Sequence, residues 1–172
     1  MSVIFDIKDH VARVTIDRPE RMNAIDVATH RRLGEIWDEV EANPDIRCAV
    51  LTGTGERAFS AGADLKDDSG MSGVEYWNGL SCDGYRCISP RRISTPVIAR
   101  VNGRVNGLAL GGRLEMVLGC DIVIAADTER FALPEAKVGR LPLDGGMVML
   151  PRLIPRNIAM DMMMTGRMVP PL

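Results

Sequence analysis

The run Gly107-Leu108-Ala109-Leu110-Gly111-Gly112-Arg113-Leu114-Glu115 holds the residue types that proton transfer beside an acyl group requires. It lies between a β-rich segment, Pro96 to Val101, and a segment with helical apolar spacing, Leu114 to Leu118. Glycines at such a junction free backbone N–H groups to face a ligand at a helix start. Glu115, one turn further on, lies close to the same space. Anion-stabilising donors beside an acid/base carboxylate are what enolate chemistry needs. Upstream, Phe59-Ser60-Ala61-Gly62-Ala63-Asp64 is a second backbone-donor loop entering a helix.

The elements that position these loops follow from local pattern. Val3 to Ile7 and Val11 to Ile16 are β-rich around Asp9-His10 and read as a hairpin. Asp17 to Asn23 is a loop. Leu33, Ile36, Trp37 and Val40 follow i, i+3, i+4, i+7 spacing, an amphipathic helix that Asn43-Pro44 ends. Cys48 to Thr52 reads as a short buried strand, Gly53 to Ala63 as a glycine-rich loop and Met71 to Ile88 as a helix. Pro96 to Ala99 is a strand, Gly107 to Glu115 a loop leading into a helix that ends near Gly119, and Ile122 to Ala126 a strand. Gly145 to Leu153 and Pro155 to Thr165 are helices. These recurring strand-strand-helix units, with no low-complexity segment, predict one α/β domain over residues 1–172.

Composition excludes several classes. Hydrophobic residues at 46% and charged residues at 26% suit a globular chain with a core. A net charge of −2, scattered Lys and Arg, and 4% aromatics leave neither a basic stripe nor a stacking platform, so no nucleic-acid partner is expected. No apolar run is long enough to span a bilayer, and Met1 to Asp6 lacks the basic and apolar regions of a signal peptide. Cys48, Cys82, Cys87 and Cys120 have no metal-ligand spacing, so no metal is expected. Cys48 and Cys120 read as buried thiols, and a reducing cytoplasm is the expected location. His10 and His30 read as turn and helix-surface residues without a nucleophile motif beside them. Gly53-Thr54-Gly55 reads as a turn, since it lacks the ending of a phosphate-binding loop.

An ordered series of motifs accompanies the two loops: Asp17-Arg18-Pro19 with Asn23-Ala24, Ala61-Gly62-Ala63-Asp64-Leu65, Asn106 through Glu115, Cys120-Asp121-Ile122, Phe131 to Glu135, Leu150-Pro151-Arg152 and Thr165-Gly166-Arg167. In order and spacing the chain resembles the enoyl-CoA hydratase/isomerase (crotonase) family over nearly its whole length. The resemblance implies a spiral of ββα units and an acyl-CoA thioester partner. The implied reaction is addition or removal of water across the 2,3-bond of a 2-enoyl-CoA. Coenzyme A enters as part of the substrate, with no further cofactor. The family assembles as trimers or dimers of trimers.

The resemblance also implies roles. The backbone amides of Ala63 and Gly112 are the oxyanion donors, against a reading of both as ordinary helix starts. Glu115 and Glu135 are the acid/base pair. Their alternatives are an exposed first-turn carboxylate complementing the helix dipole and a surface charge paired with Lys137. Asp144, in Leu141-Pro142-Leu143-Asp144-Gly145-Gly146, is either a third carboxylate of the kind isomerase branches carry or the N-cap of the next helix. Arg18, Asn23 and Ala24 match a loop lying along the CoA nucleotide, Arg18 being alternatively a solvated charge. Ala61, Gly62, Leu65 and Gly111 complete the substrate-binding set with Asp64, which reads mainly as a helix N-cap. The methionines from Met160 to Met164 read as core or subunit-contact packing.

Three features depart from the family. Arg100-Val101-Asn102-Gly103 recurs at once as Arg104-Val105-Asn106-Gly107, where the family carries the unit once. Arg113 stands where the family has glycine. The sequence stops at Leu172, whereas the family continues into helices that complete the acyl pocket and join subunits. The expectation is a shortened member without the C-terminal helical trimerisation region, with hydratase or dehydratase activity. The alternatives are a double-bond isomerase using Asp144 and an impaired CoA-thioester binder.

Overall fold

A computed structural model describes residues 2–64, 93–101 and 108–171. The helix expected over Met71 to Ile88, the residues Leu65, Cys82 and Cys87, and the repeat from residue 102 to 107 lie outside the described residues.

β1 (Val3–Lys8) and β2 (Val11–Ile16) pair antiparallel from Val3 opposite Ile16 to Lys8 opposite Val11. The expected two-residue turn joins them. Asp9 and His10 both take positive φ, 52° and 65°, the primed-turn geometry whose twist matches the strands it connects. α1 (Val27–Ala42) buries Leu33, Ile36, Trp37 and Val40, the positions its periodicity marks. It starts on Asp26, whose side chain accepts from the Thr29 N–H at 2.7 Å, and ends at Asn43, extended before Pro44. One expectation fails here. His30 is buried rather than on the helix surface, because the first turn of α1 lies against the protein on that side.

β3 (Cys48–Gly53) pairs in parallel with β2, and β4 (Val97–Val101) in parallel with β3. Two segments after β4 lead to the site: β5 (Leu108–Leu110) and α2 (Gly112–Leu118). β6 (Ile122–Ala125) then completes a five-stranded sheet of order β1-β2-β3-β4-β6. Asp121 sets its register, since its N–H donates to the Val97 carbonyl and its carboxylate accepts from the Val97 N–H, each at 2.8 Å. Inward residues of these strands (Ala12, Val14, Ile16, Ala49, Leu51, Val97 and Ala99) form one apolar cluster with the buried face of α1 and with Phe59. Each Val, Ile, Leu or Phe among them contributes about 1.5–3 kcal/mol on full burial, and each Ala less. Ile122, Val123 and Ile124 of β6 are exposed, and among the described residues β6 pairs only with β4.

β5 corrects the sequence reading of an unbroken loop from Gly107 to Glu115. Leu108 to Leu110 is a strand pairing in parallel with β7 (Arg130–Ala132), and the two form a second small sheet. Three residues between glycines are too few to display an alternation, so pairing with a distant segment decides their conformation. A 3-10 turn, Pro134–Val138, follows β7. α3 (Gly146–Leu153) and α4 (Arg156–Thr165) lie within a residue of their expected bounds. The methionine cluster divides: Met162 is buried and Met164 is exposed. Cys48 and Cys120 are free thiols and half-buried, less enclosed than expected. Among the described residues no helix is long and apolar enough to cross a membrane.

Candidate functional site

The site is built where β5 hands over to α2. Gly111 donates its N–H to the Ala132 carbonyl at 3.0 Å, which ties the turn to β7. Its φ of 61° then swings the chain into α2. A β-carbon at Gly111 would stand 2.6 Å from Glu135 Oε1, so only glycine admits that carboxylate here. Gly112 is the first residue of α2, a position whose N–H has no intrahelical acceptor.

The second loop abuts the first. A β-carbon at Gly62 would lie 3.9 Å from the Gly112 nitrogen and 3.6 Å from the Arg113 nitrogen. Ala63, the next residue, is held by a parallel bridge to Ile25: the Ile25 N–H donates to the Gly62 carbonyl at 2.8 Å, and the Asp64 N–H donates to the Ile25 carbonyl at 2.9 Å.

Three carboxyls surround this junction. Glu115 is buried at 3% exposure, which overturns the exposed first-turn alternative. α2 is enclosed on all sides, Arg113 through Leu118 being buried, so its first turn has no solvent face. Glu115 Oε1 accepts from the Gly146 N–H at 2.9 Å. Burial pushes its carboxyl up to about 8; the Gly146 N–H opposes this, and the neighbouring charges of Asp144 and Glu135 reinforce it. Glu135, in the 3-10 turn, places Oε1 against Gly111. Its Oε2 is buried without a hydrogen-bond partner, and burial raises this carboxyl too. The alternative partner, Lys137, instead donates from Nζ to the Gly166 carbonyl at 2.9 Å.

Asp144 is close enough to Glu115 to perturb it, and the structure rejects its reading as an N-cap. The cap of α3 is Gly145, at φ 119°, with no side-chain cap hydrogen bond. The first three amides of α3 already have acceptors: Gly146 on Glu115, Met147 on the Pro142 carbonyl and Val148 on the Gly145 carbonyl.

Arg18, Asn23, Ala24 and Asp64 form a clasp behind the Ala63 loop. Arg18 Nη2 lies 2.9 Å from Asp26 Oδ2 and 3.2 Å from Asp64 Oδ2, while Nη1 donates to the Ala24 carbonyl at 2.5 Å. Arg18 is therefore no solvated charge. Burial alone would raise the Asp26 carboxyl; the Thr29 hydroxyl and amide with Arg18 outweigh it and hold it below the ordinary value. Asn23 is 1% exposed and turned into the protein, Ala24 is buried and Ala61 is half-buried. Arg113 is buried directly behind Gly112; burial lowers its guanidinium to about 10, opposed by Glu129.

The structure thus gathers Gly62, Ala63, Gly111, Gly112, Glu115, Glu135 and Asp144, and sets the Arg18 clasp to one side. Sequence reasoning passed over two contributors. Gly146 supplies the amide that orients Glu115, and the Gly145-Gly146 pair was its only signal. Ser60 is fully buried within the Ala63 loop, and nothing in its local pattern marks it.

Comparison with known proteins identifies the family and the fold. Residues 6–171 match the family described as "Enoyl-CoA hydratase/isomerase". The chain is 41% identical over 169 residues to an (E)-benzylidenesuccinyl-CoA hydratase of Thauera aromatica, covering 98% of this chain and 64% of that protein. It is 39% identical over 158 residues to a carnitinyl-CoA dehydratase of Shigella flexneri, covering 91% of this chain and 58% of that one. Among solved structures, an enoyl-CoA hydratase from Mycobacterium tuberculosis H37Rv superposes with a TM-score of 0.87 at 33% identity, covering 98% of this chain and 63% of that one. A second, from Bacillus anthracis, gives 0.87 at 32% identity. The chain spans under two thirds of the length of these relatives and shares their α/β architecture.

Proposed function

Since the chain belongs to the enoyl-CoA hydratase/isomerase family, with the crotonase fold, we propose that it binds an acyl-CoA thioester and adds water to, or removes it from, the 2,3-bond of a 2-enoyl-CoA. The observation that carries this reading is the contact between the Gly62-Ala63 and Gly111-Gly112 loops, with Glu115 and Glu135 beside it. In this reading the thioester oxygen accepts from the Ala63 and Gly112 amides. Attack at C3 or proton loss at C2 drives negative charge onto that oxygen, where each preorganised donor is worth about 3 kcal/mol. One glutamate takes a proton from the attacking water and the other exchanges the proton at C2. A carboxyl poised near 8 suits Glu115 to the task, because a group that titrates near the working pH both holds and releases its proton. The reaction calls on coenzyme A only as part of the substrate.

Asp144 favours a second reading, double-bond isomerisation, because a further carboxylate beside Glu115 gives a place to set down a proton taken from another carbon. Turnover of short and medium 2-enoyl-CoA and 3-enoyl-CoA thioesters, with mass and chromatographic identification of products, tests both. Hydrated product supports the first reading and isomerised product the second. Recovery of unchanged substrate under all conditions refutes both for this chain.

A further inference from the structure

The Ala63 amide has no hydrogen-bond partner among the described residues, so its direction depends on the peptides either side of it. A trans peptide points its C=O and N–H to opposite edges. The C=O of the Gly62–Ala63 peptide is held by Ile25, so the Ala63 N–H on the same peptide faces away from Ile25. The following peptide is held by Ile25 as well, through the Asp64 N–H. The aim of the donor is therefore set by how rigidly the 60–64 loop is docked on the segment before Ile25.

That docking runs through two buried polar side chains. Asn23 sits at φ 56° and all its polar groups are engaged. Its Nδ2 donates to the carbonyls of Thr54 at 2.9 Å and Ala58 at 2.8 Å, and its Oδ1 accepts from the Arg18 N–H at 2.9 Å. Its own carbonyl accepts from Ser60 Oγ at 2.8 Å. Ser60 Oγ in turn accepts from the Gly62 N–H at 3.1 Å. A continuous relay thus runs from Asn23 through Ser60 to Gly62, one residue from the donor, with every member buried. Buried networks of this kind rigidify what they hold because no water can replace a lost partner.

We propose that Ser60 and Asn23 are positioning residues for the Ala63 amide, holding the loop so that this N–H meets the substrate oxygen. Both side chains are buried away from the surface, Asn23 at 1% and Ser60 at 0% exposure. The proposal rests on the reading of Ala63 as an oxyanion donor. It predicts an effect on the charge-developing step with little effect on CoA binding.

Ser60→Ala tests it, since it removes one oxygen and leaves the Asn23 carbonyl and the Gly62 N–H without each other's bridge. Three measurements on the full chain are expected to move together. Amide exchange at Ile25 and Asp64 accelerates by about tenfold or more, while amides of Val14 and Leu51 are unchanged. The kcat for enoyl-CoA falls by on the order of tenfold to a hundredfold, while KM and the affinity for a thioether analogue lacking the carbonyl oxygen stay within about twofold. The infrared shift of the thioester carbonyl in bound cinnamoyl-CoA shrinks. Ser60→Cys, which keeps a weak donor and acceptor, gives intermediate values and carries the test if the alanine variant does not fold. Unaltered exchange at Ile25 and Asp64 overturns the proposal, as does parental kcat with a full carbonyl shift. A parental chain that binds cinnamoyl-CoA without shifting its carbonyl refutes the oxyanion reading instead, and the exchange measurement then still decides whether Ser60 holds the loop.

Discussion

Glu115→Gln is expected to flatten the dependence of stability on pH. The parental carboxyl is enclosed by α2 and α3, holds its proton up to about 8, and loses it near 4.5 in the unfolded chain. Between those values the native state binds a proton that the unfolded state has released. Stability from this group is therefore complete below 4.5, falls as pH rises, and is gone above about 8. Each pH unit within that interval is worth about 1.4 kcal/mol, so the whole span approaches about 5 kcal/mol as a ceiling. Several other shifted groups titrate outside this window. Asp26 and Glu41 lie below the ordinary carboxylate range, and Arg113 and Cys120 titrate at about 10 and about 12. Glu135, whose carboxyl burial also raises, acts in the same direction. Gln keeps an oxygen for the Gly146 N–H, so the variant retains the contact and loses only the titration. Urea unfolding at several pH values between about 5.5 and 7.5 measures the slope. The parental protein loses about 1 kcal/mol or more per pH unit, and Glu115→Gln loses much less, the remainder belonging to Glu135. Equal slopes would refute the claim that Glu115 is buried and protonated at neutral pH.

Three further outcomes follow from the same geometry. Glu135→Gln lowers kcat by about 10²–10⁴-fold with little change in thioester affinity, and near-parental turnover in an active preparation removes Glu135 from the mechanism. Asp144→Asn selectively lowers isomerisation over hydration, because it removes the carboxylate charge beside Glu115. Equal loss or retention of both activities removes its isomerase role. Gly111→Ala costs about 1–2 kcal/mol from positive φ alone and drives a methyl group into Glu135, so unfolding shifts and turnover falls together. An alanine variant with parental stability and rate would show that the Gly111 turn and Glu135 are not packed as described.

What the sequence made legible was whatever depends on neighbours along the chain. The primed turn at Asp9-His10, the apolar face of α1, its stop at Asn43-Pro44 and the bounds of α3 and α4 all follow from local conformational preference. So does the placing of Glu115 one turn after a glycine junction. Burial was not legible, because it is conferred by segments far away. Arg113 and Glu115 in the first turn of a short helix look like a solvated face, and only the surrounding elements reveal that α2 has none. β5 is likewise invisible until β7 arrives to pair with it.

Asp144 shows the limit most clearly. An acidic residue before Gly145-Gly146 has the local form of a helix cap, and no neighbour in sequence argues against it. The cap fails for a non-local reason: Glu115, from another helix, takes the first amide of α3, and carbonyls take the next two. The same hydrogen bond that leaves Asp144 without a capping duty fixes the glutamate whose charge it perturbs. A carboxylate held against a buried carboxyl that it makes harder to ionise is an unfavourable pairing for stability. Its presence is easier to account for by chemistry at the site than by folding, and this is the reason the Asp144→Asn variant is read through its products and not through its stability.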